Sequence, residues 1–326
     1  LVDHARPDGS DPSTRRAREA DLRRALAIYR ARGIAGEQVI RALFTLQWNL
    51  GEQASGGAPA KRDEIEPVLN EALAEAAKTP SIEFPKIASI YAALSGVRIR
   101  QARLVEAEQL ARKALVLHLK SHPESLETGW GYAALGTALK HQGKFAEALV
   151  AEKQAFAIMR AALPPENASI AYVLSFLIDT LTKADVAHAL PSMFPSVAEV
   201  GELEAMFREV LTTTRPSTVR YDDPTFVAAR GMARLSIICM SLGNEWAAMG
   251  KTQEAEESKK LATFISAGYP EQTRKLYRNL LSQTGSRASE LQNGAAWLLA
   301  TAEVPAERDP ALAVELAAKA VGSASD

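Results

Sequence analysis

The sequence predicts an all-α chain, a right-handed α-solenoid in which antiparallel helical hairpins stack into a superhelix. Three observations carry this. Alanine and leucine dominate an apolar fraction of 47%, while aromatics contribute only 6%. Such residues lose little entropy in a helix and let helices pack closely. Apolar residues recur at three- and four-residue spacing in one segment after another, with almost no period-two alternation. Finally, separate landmarks repeat at one shared offset, which is the mark of a repeat array.

Residues 1–14 are polar and carry Pro7, Gly9 and Pro12, so they read as a linker or frayed end ahead of a repeat domain over 15–326. Helical patterns then cover 15–32, 37–54, 62–78, 84–101, 103–120, 124–142 and 145–162. The breaks fall at Gly33 and Gly36, at Gly56-Gly57-Ala58-Pro59, Thr79-Pro80, His122-Pro123 and Pro164-Pro165. Proline lacks the amide hydrogen a helix needs, and glycine tolerates the left-handed turn that ends one. About 14 helices are expected along the whole array.

Tyr91-Ala92-Ala93-Leu94 returns as Tyr132-Ala133-Ala134-Leu135, Glu106-Ala107 as Glu147-Ala148, and Ala114-Leu115 as Ala155-Phe156, all 41 residues on. A later copy matches Leu135-Gly136, Gly143-Lys144 and Glu147-Ala148 with Leu242-Gly243, Gly250-Lys251 and Glu254-Ala255, all at 107. Ala72-Leu73 lies 42 before Ala114-Leu115 and marks a degraded earlier unit. Gly143 and Gly250 are expected in left-handed turns between paired helices. Ala107, Ala148 and Ala255 let helices approach. Tyr91, Tyr132, Leu94, Leu135 and Leu242 are expected to fill the space between hairpins, since one hairpin cannot bury its own apolar face.

These residues resemble tetratricopeptide (TPR) repeats of the longer kind, about 42 residues each, found in kinesin light chains and many bacterial proteins. Leu135-Gly136, Gly143-Lys144-Phe145 and Glu147-Ala148-Leu149 match that pattern, and His122-Pro123 falls in the inter-repeat turn. The resemblance is best over 84–170, fair over 225–265 and 288–321, and faint over 15–78. The stretch from Ala296 to Ala317 is similar to repeats of bacterial multidomain proteins, many of which place a serine/threonine kinase ahead of them.

The pattern breaks after Glu147-Ala148. The next match, Glu204-Ala205, lies 57 residues on, so residues 183–202 hold an irregular insert. Pro191 and Pro195 bar a continuous helix there, yet Leu190, Met193 and Phe194 are apolar. The insert is either a plug over a neighbouring face or an exposed contact loop. The aggregation hazard of an exposed Met-Phe pair favours the plug.

Little points to chemistry. The formal net charge is −1, which gives no global field for nucleic acid. The single cysteine, Cys239, excludes an intrachain disulfide and suits a reducing, cytoplasmic setting. No apolar run is long enough to span a membrane. The chain begins at Leu1, which is read as a fragment or a processed product. No phosphate-loop, dinucleotide, nucleophile-elbow or kinase motif is present. His118 and His122 have HxxxH spacing without the accompanying glutamate, and are expected to be a surface and a turn histidine. His141 suits a helix C-terminus, and Asp222-Asp223 before Pro224 suits a helix cap. No catalytic residue, cofactor or metal is therefore expected.

The resemblance implies a protein or peptide partner held in a concave groove lined by the first helix of each hairpin. The longer repeats often place an Asn pair there, whereas this chain has Ala92-Ala93, Ala133-Ala134 and Met240-Ser241, with Asn293 alone retained. The candidate contacts are Tyr91 and Tyr132, the arginines Arg98, Arg100 and Arg103, the insert residues Met193 and Phe194, then Arg234 and Asn293. Arg15, Arg16, Arg18, Arg23 and Arg24 form a second basic stretch; both stretches read as solvated faces, with an acidic peptide or domain partner as the alternative. The functional expectation is an interaction scaffold. The alternatives are a regulatory region of a larger enzyme such as a bacterial serine/threonine kinase, or a peptide-sensing receptor with the insert as lid.

Overall fold

The structure is a computed structural model that describes residues 12–79, 84–213, 224–282, 292, 293, 295, 296, 299 and 309–323. Among the described residues thirteen α-helices have both ends defined, with one 3-10 helix and no strand. The helices are α1 (Pro12–Ala31), α2 (Glu37–Ser55), α3 (Ile65–Ala77), α4 (Phe84–Arg100), α5 (Leu104–Ser121), α6 (Leu126–His141) and α7 (Phe145–Ala162). Then come α8 (Ala168–Val186), α9 (Leu190–Met193), α10 (Val197–Thr213), α11 (Pro224–Ala248), α12 (Thr252–Leu280) and α13 (Pro310–Ser323). The 3-10 helix, Pro59–Glu64, leads into α3. Helix α1 starts at Pro12, three residues ahead of the expected boundary. Proline is tolerated at the first helical position because its missing N–H would have no partner there.

The chain divides into two compact units, residues 1–142 and 143–326. In the first, α1 packs on α2, α2 on α3, α3 on α4, α4 on α5, and α6 on both α4 and α5. One core runs through Leu26 of α1, Leu43, Leu46 and Leu50 of α2, Leu69 and Ala72 of α3, and Ile90 and Leu94 of α4. The stretch with the faintest repeat signal is therefore packed as fully as the rest. Ala107, Ala111 and Ala138 form a second, alanine-only contact, with Ile99 and Leu135 against it. Side chains this small leave helices free to close on one another.

In the second unit α7 packs on α8, α8 on α11, and α11 on α10 and α12. Leu203 and Phe207 of α10 and Leu235, Leu242 and Trp246 of α11 are fully buried. Gly231 admits Phe207 to the α11 backbone, since a Cβ there would lie 2.4 Å from Phe207 Cε1. Toward the C-terminus, Tyr277, Leu299, Leu312 and Leu316 join in a further cluster.

Turn chemistry recurs with the repeat. Gly143 and Gly250 take φ of 76° and 79°, as expected of residues without Cβ. Ala102, one offset of 41 before Gly143, takes the same conformation at φ 58°. Its turn closes with Ala102 N donating to Ile99 O at 3.0 Å and Arg103 N to Arg98 O at 2.9 Å. The Gly250 turn has the matching pair, Gly250 N to Ala247 O at 3.0 Å and Lys251 N to Trp246 O at 2.9 Å. Both are the two-bond helix terminus that pairs a left-handed residue with orphan carbonyls.

The insert is a plug. After α8 the chain turns through His188 at φ 52°, makes the single turn α9, and enters α10. Helix α9 touches α7, α8 and α11, and Leu190, Met193 and Phe194 are 0%, 8% and 1% exposed.

Candidate protein-interaction face

The hairpins offer their first helices as candidate faces: α2, α4 and α6 in the first unit, α8 and α11 in the second. The structure scatters the predicted contacts among three fates. Tyr91 and Tyr132 are half-buried on α4 and α6, with the Lys113 ammonium 6.0 Å from the Tyr91 ring centroid. Asn293 is exposed. Met193 and Phe194 are buried by the plug, which removes them from any exposed face as packed here. Arg234 is spent on Asp185 of α8 at 2.8 Å, an ion pair that ties α11 to α8.

The arginine cluster also differs from the free basic patch the spacing predicts. Arg98 donates to Glu66 Oε1 at 2.6 Å and to Gln101 Oε1 at 2.8 Å, and its Nε lies 3.5 Å from Glu106. Arg103 grips Glu106 with two bonds, at 2.7 and 2.6 Å. Bonds from Gln101 and Arg98 hold the Glu66 carboxyl below the usual carboxylate range, and Glu106 raises the Arg103 guanidinium. These acids come from α3 and α5, so two of the three arginines serve as internal braces. Arg100 alone of the three lacks an acid among the described residues. Of the small residues expected along the groove, Ala133 is 2% exposed and faces inward, while Ala92, Ala93 and Ala134 are half-buried.

Three large apolar side chains reach solvent on the first helices α2, α8 and α11, beside polar ones such as Gln38, Arg41 and Thr45. Trp48 on α2 is 55% exposed, Tyr172 on α8 47% and Met240 on α11 44%. Tyr172 is braced edge-on by Phe176, with ring centroids 4.8 Å apart and planes at 72°. Sequence reasoning passed over Trp48 and Tyr172, and placed Met240 at a groove position without naming it a contact. A helical wheel holds the signal for Trp48, which stands off the buried stripe of Val39, Leu43, Leu46 and Leu50.

His118, expected on the surface, is buried at 2% because α6 offers Gly131 opposite it. A Cβ at Gly131 would lie 3.1 Å from His118 Cδ2. Burial pushes the His118 imidazole down, against an upward pull from Glu127. No group of three or more His, Cys, Asp or Glu able to hold a metal occurs among the described residues. Burial also pushes the Cys239 thiol up to about 12, which leaves it a protonated core side chain at neutral pH. Among the described residues no helix is long and apolar enough to cross a membrane.

The fold defines a class of all-α protein built from stacked helical hairpins. Residues 86–161, which span α4 to α7, match the family model for the tetratricopeptide repeat, and this stretch is a set of tetratricopeptide repeats. No curated protein matches the chain. Among solved structures, BtubC (BKLC) from P. vanneervenii is similar at 18% identity and a TM-score of 0.46, over 78% of this chain and 91% of that one. A kinesin light chain with nearly identical TPR-like repeats from Podosopora anserina is similar at 18% identity and a TM-score of 0.40, over 79% of this chain and 98% of that one. A glutamine-to-methionine variant of that kinesin light chain gives the same identity and score, with 97% of its chain covered.

Proposed function

We propose that the chain is a non-catalytic interaction scaffold that binds a protein or peptide partner on the first helices of its hairpins. The observation behind this reading is the set of large apolar side chains, Trp48, Tyr172 and Met240, that these helices present to solvent. Aromatic and methionine side chains are the ones enriched where proteins meet, because each buries much surface for little lost freedom. The tetratricopeptide repeats of residues 86–161 support the same reading, since arrays of this family generally serve as interaction scaffolds. The partner would gain affinity from apolar burial rather than from polar clamps on its backbone, as the Asn pairs of related repeats are replaced by small residues here.

The test is affinity capture from the source cell with four forms of the chain: wild type, Trp48→Glu, Tyr172→Glu and Val116→Glu. Val116 is 49% exposed on the second helix α5 and serves as the control. A partner recovered by wild type and Val116→Glu, and depleted with either first-helix variant, supports the reading. Identical partner lists from all four forms sink it.

A further inference from the structure

The packing of α6 on α5 encloses a titratable ring at a position that the repeat otherwise fills with an apolar side chain. His118 lies 41 residues before Met159, and the two are 2% and 0% exposed. Their neighbours keep the same register, with Ala114 and Leu115 matched by Ala155 and Phe156, all buried. A histidine therefore stands in the seam where a thioether packs one repeat later. Residues 122–125 alone join α5 to α6 there. Thr128 Oγ1 donates to His122 O at 2.7 Å, and Ser125 Oγ caps α6 by accepting from Thr128 N at 3.2 Å.

The seam has no room or partner for a charge. At Gly131 of α6 a Cβ would lie 3.1 Å from His118 Cδ2 and 3.4 Å from Leu115 Cδ1, so α6 closes tightly over the ring. Nδ1 is buried with no hydrogen-bond partner. In the neutral ring one nitrogen is a bare acceptor, whereas protonation turns both into donors. A charged N–H without an acceptor would then lie in an apolar seam, which is costly. Among the described residues Glu127 of α6 is the charged group that favours the imidazolium, and none of α4 or α5 acts on the ring. Burial outweighs Glu127, so the folded protein takes up this proton less readily than the unfolded chain, whose histidine titrates near 6.5. The stability of the seam is therefore complete well above 6.5 and falls as the pH drops through it.

We propose that the α5–α6 seam is a proton-sensitive joint, closed around neutral His118 and opened when the ring is protonated, so that α6 parts from the hairpin of α4 and α5. Opening is local, because His118 lies outside the core that runs through α1 to α4. The joint stands apart from the partner reading above, since His118 does not belong to the Trp48, Tyr172 and Met240 set.

The experiment follows amide hydrogen exchange of the full chain at about pH 7.5 and about pH 5.5, on either side of the histidine titration. Protection is corrected for the intrinsic pH dependence of exchange, and peptides from α5 and α6 are compared with peptides from α1 to α3. Wild type is set against His118→Met, which copies the residue at 159, and His118→Phe, since neither can titrate. His122→Gln removes the exposed histidine of the same connection and serves as the control. The expected result is a fall in α5–α6 protection of about five- to tenfold at the lower pH in wild type and His122→Gln, with α1 to α3 unchanged. Both His118 variants should keep the same protection at the two pH values. Each variant is judged by its own ratio, so one that packs less well at neutral pH still gives an answer. Equal protection of wild type at both pH values, the same fall in either His118 variant, or an equal fall in α1 to α3 overturns the joint.

Discussion

Ala102→Gly should stabilise this protein, although glycine replaces alanine at the end of a helix. Ala102 sits at φ 58°, the conformation that Gly143 and Gly250 take in the equivalent turns. A residue with a Cβ gives up about 1–2 kcal/mol there, because the Cβ crowds the following carbonyl. Glycine loses about 0.5–1 kcal/mol more on folding, so the net gain is about 0.5–1 kcal/mol. The reverse change isolates the backbone effect. A Cβ at Gly143 or Gly250 would meet nothing within 4 Å, so alanine there introduces no clash. Gly250→Ala should therefore cost about 1 kcal/mol through strain alone. Urea unfolding of the three variants, at constant m-value, measures both signs. Loss of stability in Ala102→Gly, or no change in Gly250→Ala, would refute the reasoning from turn geometry.

Two further predictions concern the plug and a buried acid. Met193→Ser with Phe194→Ser should lower stability by about 2–4 kcal/mol, since both side chains are buried in the plug; an unchanged melting temperature would show the plug to be dispensable. Glu19 is 8% exposed, and burial alone would raise its carboxyl, yet bonds from Lys61, Gln53 and Arg23 outweigh this and hold it at about 2. A folded value below the ordinary 4.5 means that the stabilisation is complete above about pH 5 and fades as the pH falls toward 2. The shift is worth at most about 3 kcal/mol, and Glu19→Gln should lose a similar amount at pH 7 while flattening the acid limb of the stability curve.

The helices were legible because their boundaries have local causes. Expected segments 37–54 and 145–162 became Glu37–Ser55 and Phe145–Ala162, since glycine and proline act on their own neighbours. The early start of α1 was missed because Pro12 was read as a breaker when it opens the helix. The insert's apolar trio pointed correctly to a plug, as period and burial hazard are both properties of short segments. The arginine cluster misled for the opposite reason. Arg98 and Glu66 are 32 residues apart, and no spacing rule reveals that the fold joins them. His118 shows the same limit, since its burial depends on Gly131 on the next helix.

The central claim, that the first helices carry the interaction face, is tested most directly by site-specific photo-crosslinking in the source cell. A photoreactive residue replaces Trp48, Tyr172 or Met240 on the first helices, and Val116 or Val150 on second helices. The account predicts covalent capture of a polypeptide from position 48 in the first unit, or from positions 172 and 240 in the second, and none of it from 116 or 150. Capture of that polypeptide only from positions 116 and 150 would contradict the account and move the face to the second helices.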